Sequence, residues 1–138
     1  MDESKRRIVA VVDDDYRVLE SLESLLASSG LTVVLFTSPE DFIREFESLN
    51  VDCLISDIDM PGLSGVELRR HVRQRQPRMP VIFITGRYRV EDFAAELKDD
   101  HHLFFKKPFD VSQLLATVRG VLNQAGCDAA PGAQDVSS

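Results

Sequence analysis

Short apolar runs rich in β-branched residues alternate along this chain with segments whose apolar residues recur at helical spacing. Each run predicts a buried strand, and each helical segment predicts an amphipathic helix that covers the sheet. Because parallel neighbours need a crossover connection, the alternation predicts an open parallel sheet with helices on both faces. The predicted strands are 7–12, 31–36, 51–56, 80–86 and 102–105.

Five helices are predicted, one after each strand. Most begin at a residue whose side chain can accept a hydrogen bond from the first turn, which is the usual start of a helix. Ser64 and Glu67 also have the spacing of a capping box. The helix at 90–98 lacks such a start and is the least regular. The predicted starts are Tyr16, Ser38 with Pro39, Ser64, Val90 and Asp110, and Gly30 ends the first helix.

The length of 138 residues predicts a single α/β domain. Five-stranded sheets of this kind adopt the flavodoxin-like order 2-1-3-4-5, which leaves a ligand crevice between strands one and three. We therefore predict one doubly wound domain over residues 6–123. From 124 to 138 the residues are small and polar, which predicts a disordered tail or linker.

Charge and composition exclude several classes of protein. A formal net charge of -7 argues against direct nucleic acid binding by this chain. No apolar run approaches the roughly 18–20 residues that a membrane span needs, and the charged residues 1–7 do not resemble a secretory signal. Cys53 and Cys127 form neither a disulfide framework nor a metal site. A reducing cytoplasm is therefore the expected location.

Polar residues end four of the predicted strands. Asp13 and Asp14 follow the first, Asp57 the third, Thr85 ends the fourth and Lys107 follows the fifth. We expect them to converge, because parallel strands share one carboxyl edge. Carboxylates about 4 Å apart repel by several kcal/mol at an effective dielectric of about 20, so the cluster needs a cation. Hard oxygen ligands with open positions suit Mg²⁺.

These residue types together predict a phosphoryl-accepting carboxylate. Lys107 supplies a point charge for an anion, and Thr85 supplies a hydroxyl donor. A carboxylate beside a metal ion, a lysine and a hydroxyl can take a phosphoryl group onto itself. Asp57 is the candidate acceptor, because it ends a buried strand just before the Pro61-Gly62 turn. Each aspartate taken alone could be a helix cap or a turn residue; the whole set favours a site.

Four motifs follow one another along the chain. They are Val12-Asp13-Asp14-Asp15, Asp57-Ile58-Asp59-Met60-Pro61-Gly62, Ile84-Thr85-Gly86 and Phe105-Lys106-Lys107-Pro108-Phe109. In this order, and over about residues 6–123, they resemble the receiver domain of two-component response regulators. The residues around Ser38 and Thr85 most resemble the FixJ-like branch, whose members usually carry a C-terminal helix-turn-helix. The resemblance implies a signalling phosphoacceptor rather than an enzyme.

The resemblance implies roles for the strand-end residues. Asp57 would take a phosphoryl group from a histidine kinase. The Asp14 and Asp57 carboxylates and the Asp59 main-chain carbonyl would ligate Mg²⁺, and Asp13 would act through a metal-bound water. The remaining pair, Thr85 and Lys107, would hold phosphoryl oxygens, with a cis peptide bond after Lys107.

The resemblance also implies how the signal leaves the site. Thr85 would move towards the phosphoryl group and Phe104 would turn inward, which would change the face formed by the predicted helix at 90–98 and the fifth strand. That face would mediate a phosphorylation-dependent homodimer or control a DNA-binding output domain. Asp59 and Arg87 would tune the lifetime of the phosphoryl group. The sequence departs from the family pattern at 87–89 and 99–102, on either side of the helix that forms this face.

Two other functions remain open at this stage. Asp57-Ile58-Asp59 also has the Asp-x-Asp spacing of haloacid-dehalogenase-type phosphohydrolases, although those place it after their first strand. A receiver-like interaction module that is never phosphorylated is the second alternative. Among the remaining polar residues, Lys106, His71, the His101-His102 pair and the arginines at 69, 70, 73 and 75 are interpreted as solvated surface.

Overall fold

Five parallel strands form one sheet in the order β2-β1-β3-β4-β5, as predicted. The computed structural model describes residues 7–86 and 103–129. The order places β1 and β3 side by side although α-helical connections leave them in different directions, and this creates the crevice of a doubly wound sheet. The strands are β1 (Ile8–Val12), β2 (Thr32–Phe36), β3 (Cys53–Asp57), β4 (Val81–Thr85) and β5 (Phe104–Lys106).

Four helices lie in the described part of the chain, and the predicted helix at 90–98 falls outside it. Ser38 caps α2 and accepts from the Asp41 amide, and Ser64 with Glu67 forms the predicted capping box. Asp110 accepts from the Ser112 amide at 2.9 Å at the start of the last helix. The helices are α1 (Tyr16–Ser28), α2 (Pro39–Leu49), α3 (Gly65–Arg75) and α4 (Val111–Ala129).

The sheet separates two apolar layers. On one face, α2 and α3 pack on strand residues such as Leu54 and Phe83. On the other face, α1 and α4 pack on alternate residues such as Ile55 and Ile84. Successive strand residues therefore point into different layers, and both layers exclude water. This double burial explains why the strands are continuous apolar runs.

The strand bounds differ from the predicted ones by at most two residues, whereas the last helix runs further than predicted. The fifth strand is shifted toward Lys106, because Lys106 pairs with Thr85 at the end of β4. The last helix continues to Ala129, although the sequence predicted a disordered tail from residue 124. Adding a residue to an existing helix needs no new nucleus, so a polar segment with alanine and glutamine can continue it. None of the described helices combines the length and apolarity needed to cross a bilayer.

Candidate phosphoryl-acceptor site

The sheet brings the predicted residues to one edge. Asp13 directly follows β1, Asp57 is the last residue of β3 and Thr85 is the last residue of β4. Lys107 follows β5, and its amide donates to the Thr85 carbonyl at 2.7 Å. The register pairs Asp57 with Ile84 and Thr85 with Lys106, so the strands end at one edge of the sheet. At this edge the structure brings the Asp13 and Asp57 carboxylates next to the Lys107 ammonium.

Three carboxylates form the centre of this edge. Asp13, Asp14 and Asp57 each offer an oxygen, and these oxygens all lie within 4.8 Å of one another. Asp13 is fully buried and the Asp57 residue is 5% exposed, whereas Asp14 is open to solvent. The cluster therefore has two ligands held in the protein and one that faces water, from which an ion could enter.

The Lys107 ammonium lies beside this cluster. Its Nζ lies 3.0 Å from Asp13 Oδ2 and 3.7 Å from Asp57 Oδ1. The Lys107–Pro108 peptide bond is cis, as the resemblance implied. Because Lys107 Nζ makes its hydrogen bond to Asp13, the Asp57 carboxylate receives only a longer ion pair from it.

Burial controls the protonation of both inner carboxylates. Loss of water around Asp57 raises its pKa from 3.8 to about 6, and the negative charges of Asp13 and Asp14 act in the same direction. Lys107 and a backbone hydrogen bond from Asp59 oppose this rise. Burial also raises the pKa of Asp13, against a hydrogen bond from the Asp15 amide and the charge of Lys107. The site therefore holds excess negative charge that a second cation would relieve.

Asp15, the third of three adjacent aspartates, caps a helix. Asp15 caps α1 and its carboxylate accepts from the Arg17 amide at 3.0 Å. This hydrogen bond holds the pKa of Asp15 below its usual range. The Asp15 amide in turn donates to Asp13 Oδ1 at 2.9 Å, so the helix start orients the buried ligand. Adjacent acids in the sequence thus separate into ligands and a cap.

The connection after Asp57 is tightly built. Gly62 has φ of +86°, which favours glycine. A Cβ on Gly65 would lie 2.4 Å from the Asp57 carbonyl oxygen, so α3 can begin this close to β3 only with glycine at that position. The sequence predicted the capping box of Ser64 and Glu67 here, but not the need for glycine at position 65. Its signal was a glycine at the first helical position directly after the acceptor loop.

The remaining predicted residues are placed as follows. Thr85 is fully buried at the end of β4, and Phe104 is half-buried and packs against the layer formed by α2 and α3. Asp59 is half-buried, and its amide donates a hydrogen bond to the Asp57 carboxylate. Lys106 is exposed, as predicted. Arg87 lies outside the described residues.

The donor set fits a hard divalent cation. Carboxylate oxygens are the ligands that Mg²⁺ prefers, and an exposed Asp14 leaves room for the waters that Mg²⁺ retains. Burial raises the pKa of both Asp13 and Asp57 although Lys107 acts in the opposite direction, so a further cation would stabilise their ionised forms. A cysteine or histidine cluster, which would suit a softer metal, is absent from the described site.

Comparison with known proteins identifies the family of this chain. A family model for the response regulator receiver domain matches residues 9–119. The chain belongs to the response regulator receiver domain family. The match contains all the strand-end residues described above. Receiver domains in general bind Mg²⁺ at this acidic pocket and act in signalling rather than as enzymes in the usual sense.

Named relatives support the predicted branch of this receiver family. The transcriptional regulatory protein FixJ of Azorhizobium caulinodans is 39% identical over 117 residues, which cover 85% of this chain and 56% of FixJ. The response regulator protein TodT of Pseudomonas putida is 35% identical over 118 residues, covering 86% and 52% of the two chains. This receiver therefore spans about half the length of these relatives.

A solved structure shows the same architecture. The beryllofluoride-activated NtrC4 receiver domain, which is described as a dimer, matches with a TM-score of 0.78 and 26% sequence identity. The match covers 85% of this chain and 97% of that one.

Proposed function

We propose that this receiver domain accepts a phosphoryl group on Asp57 from a histidine kinase, with Mg²⁺ in the acidic pocket. The observation that carries the proposal is the buried Asp57 carboxylate, which sits within reach of two further carboxylates and of Lys107. Family membership supports the chemistry, and the pocket of this chain holds every residue type that the chemistry needs.

In the transfer, an Asp57 carboxylate oxygen attacks the phosphorus of a phosphohistidine. The new P–O bond forms as the P–N bond breaks, and the imidazole nitrogen leaves with the electron pair. Lys107 needs only to shift from Asp13 towards Asp57 to contact a phosphoryl oxygen, and Thr85 would hold another. Bound Mg²⁺ would neutralise charge on the phosphoryl oxygens, held by Asp14, Asp57 and the Asp59 carbonyl, with Asp13 acting through a water.

The protonation of Asp57 bears directly on this step. A carboxylate with a pKa near 6 is a poor nucleophile while it keeps its proton. A divalent cation held by these carboxylates would favour the ionised form of Asp57 and so widen the pH range in which it can act as a nucleophile. Because Asp57 with a pKa of about 6 is largely ionised at pH 7, this effect should be greatest near and below pH 6.

We further propose that phosphorylation changes the surface beside β5. Thr85 and Phe104 lie on neighbouring strands near the site, where movement of the threonine would make room for the aromatic ring. The changed face would promote a homodimer, or would act on a DNA-binding output domain outside the present chain. The NtrC4 receiver dimer and the name of FixJ as a transcriptional regulator support this part of the proposal. A cytoplasmic location and lifetime tuning by Asp59 and Arg87 belong to the same proposal.

Intact-mass spectrometry after incubation with acetyl phosphate tests the chemistry. We expect one phosphoryl adduct that requires Mg²⁺ and is absent in Asp57→Asn, and a changed decay of that adduct in Arg87→Ala. No adduct on folded protein would favour an interaction module that works without phosphorylation. Continuous phosphate release without a stoichiometric limit would instead favour a haloacid-dehalogenase-type hydrolase.

A further inference from the structure

Ser56 is a buried polar residue that the chemistry described so far does not use. It lies in β3 directly before Asp57 and is fully buried. Its register partners are Val12 on β1 and Phe83 on β4, both of which belong to the layer under α2 and α3. A hydroxyl in such surroundings lowers stability unless it is hydrogen-bonded, and a β-branched apolar residue would suit the strand better.

The hydroxyl of Ser56 is directed at the acceptor residue itself. Ser56 Oγ donates to the Asp57 carbonyl oxygen at 2.9 Å. The same peptide group carries the Ile58 amide, which donates to the Ile84 carbonyl at 3.1 Å. The Asp57–Ile58 peptide group is therefore hydrogen-bonded at both its carbonyl and its amide. The Ser56 side chain binds the carbonyl, and the amide binds β4.

The next peptide group is held in the same way. The Ile58 carbonyl accepts from the Gly65 amide at 2.9 Å, and the Asp59 amide donates to the Asp57 carboxylate. Gly65 also packs against the Asp57 carbonyl so closely that a Cβ would lie 2.4 Å from it. Two consecutive peptides after Asp57 thus have a partner at all four polar ends, and Ser56 supplies the only side-chain hydroxyl among those partners.

We propose that Ser56 is a positioning residue whose hydroxyl fixes the Asp57–Ile58 peptide and so aligns the Asp57 carboxylate with the Asp59 main chain for Mg²⁺ binding and phosphoryl acceptance. This inference rests on the proposed function. Rotation of the Asp57–Ile58 peptide would also rotate the Ile58–Asp59 peptide. That second peptide carries the Asp59 amide, which donates to the Asp57 carboxylate, and its orientation also sets the position of the Asp59 carbonyl. Ser56 therefore acts through Asp57 and Asp59 and touches neither the ion nor the phosphoryl group.

The test compares Ser56→Ala, which removes the hydroxyl, with Ser56→Thr, which retains it. In Ser56→Ala we expect a roughly three- to tenfold loss of Mg²⁺ affinity by calorimetry, the range that follows from losing one hydrogen bond. The maximal rate of phosphorylation by acetyl phosphate should fall by a similar factor, with little change in the concentration of half-saturation. The Ile58 amide should exchange faster with solvent, and thermal stability should fall modestly, because the buried Asp57 carbonyl loses its donor. Ser56→Thr should restore affinity, rate and exchange.

Cys53→Ala is the matched control. Cys53 is fully buried in the same strand but points into the opposite layer, so its truncation should lower stability and leave Mg²⁺ affinity unchanged. Equal Mg²⁺ affinity and Ile58 exchange in wild type and Ser56→Ala would overturn the inference, even where wild type is phosphorylated normally. If wild type accepts no phosphoryl group but Ser56→Ala still weakens Mg²⁺ binding, the proposed function fails and the positioning role in metal binding stands. If Ser56→Thr fails to fold, the Ile58 exchange rate in Ser56→Ala decides alone.

Discussion

At the amino ends of the strands, the Asp52 carboxylate accepts from the Ile8 amide at 2.8 Å, and the Arg7 guanidinium donates to the Leu122 carbonyl at 2.9 Å. At the carboxyl ends, three carboxylates crowd around one lysine, and burial raises the pKa of Asp57 to about 6. At the amino ends, charged side chains form hydrogen bonds with backbone groups, and one of these bonds links Arg7, just before β1, to α4. The second end leaves charge under-compensated, which lowers stability and prepares a ligand site.

The largest expected effect is a gain in stability when Asp57 loses its charge. The native state keeps a proton on Asp57 that the unfolded chain releases between its pKa of 3.8 and about 6, so stability falls as pH rises through this window. Asp57→Asn should therefore raise the free energy of unfolding at pH 7 without Mg²⁺, by at most about 3 kcal/mol. The gain should shrink towards pH 4. Urea denaturation at both pH values measures it, and a destabilised Asp57→Asn at pH 7 would contradict the comparison.

The next effect concerns Lys107, the lysine beside the three carboxylates. Lys107→Met should cost about 2 kcal/mol at pH 8 without Mg²⁺, because it leaves the buried Asp13 carboxylate without its cation. Lys106→Met, at the exposed neighbour, should change stability by less than about 0.5 kcal/mol. Added Mg²⁺ should recover part of the loss in Lys107→Met, because the ion binds only the folded pocket. Thermal unfolding with and without Mg²⁺ checks this, and equal losses in the two lysine variants would contradict it.

The smallest effect is expected at the opposite end of the sheet. Asp52→Ala removes the acceptor for the Ile8 amide and should cost about 1 kcal/mol. Asp52→Asn retains an acceptor oxygen and should cost less. Neither variant should alter Mg²⁺ affinity, because Asp52 lies at the far end of β3 from the pocket. A Mg²⁺ affinity that changed in Asp52→Ala would show that the two ends are coupled.

Much of the fold could be predicted because its signals are local. Ser38 with Pro39 and Ser64 with Glu67 mark helix starts through contacts within a single turn, and the structure confirms both. The extent of α4 could not be predicted in this way. Its polar end at 124–129 has no apolar periodicity, and its helical state follows from continuation of an existing helix. The segment at 90–98 and residue Arg87 lie outside the described residues, so the predictions made for them are untested.

The sequence by itself determined which residues reach the site. Asp13, Asp57, Thr85 and Lys107 each stand at the end of an apolar run, and parallel strands necessarily bring such ends to one edge. The tertiary structure decided which role each acidic or basic residue takes. Asp15 became a cap, Lys107 took Asp13 as its nearer partner, and burial raised the pKa of Asp57. These outcomes depend on distances of a few ångströms and on exclusion of water, and both arise only when separate elements pack together.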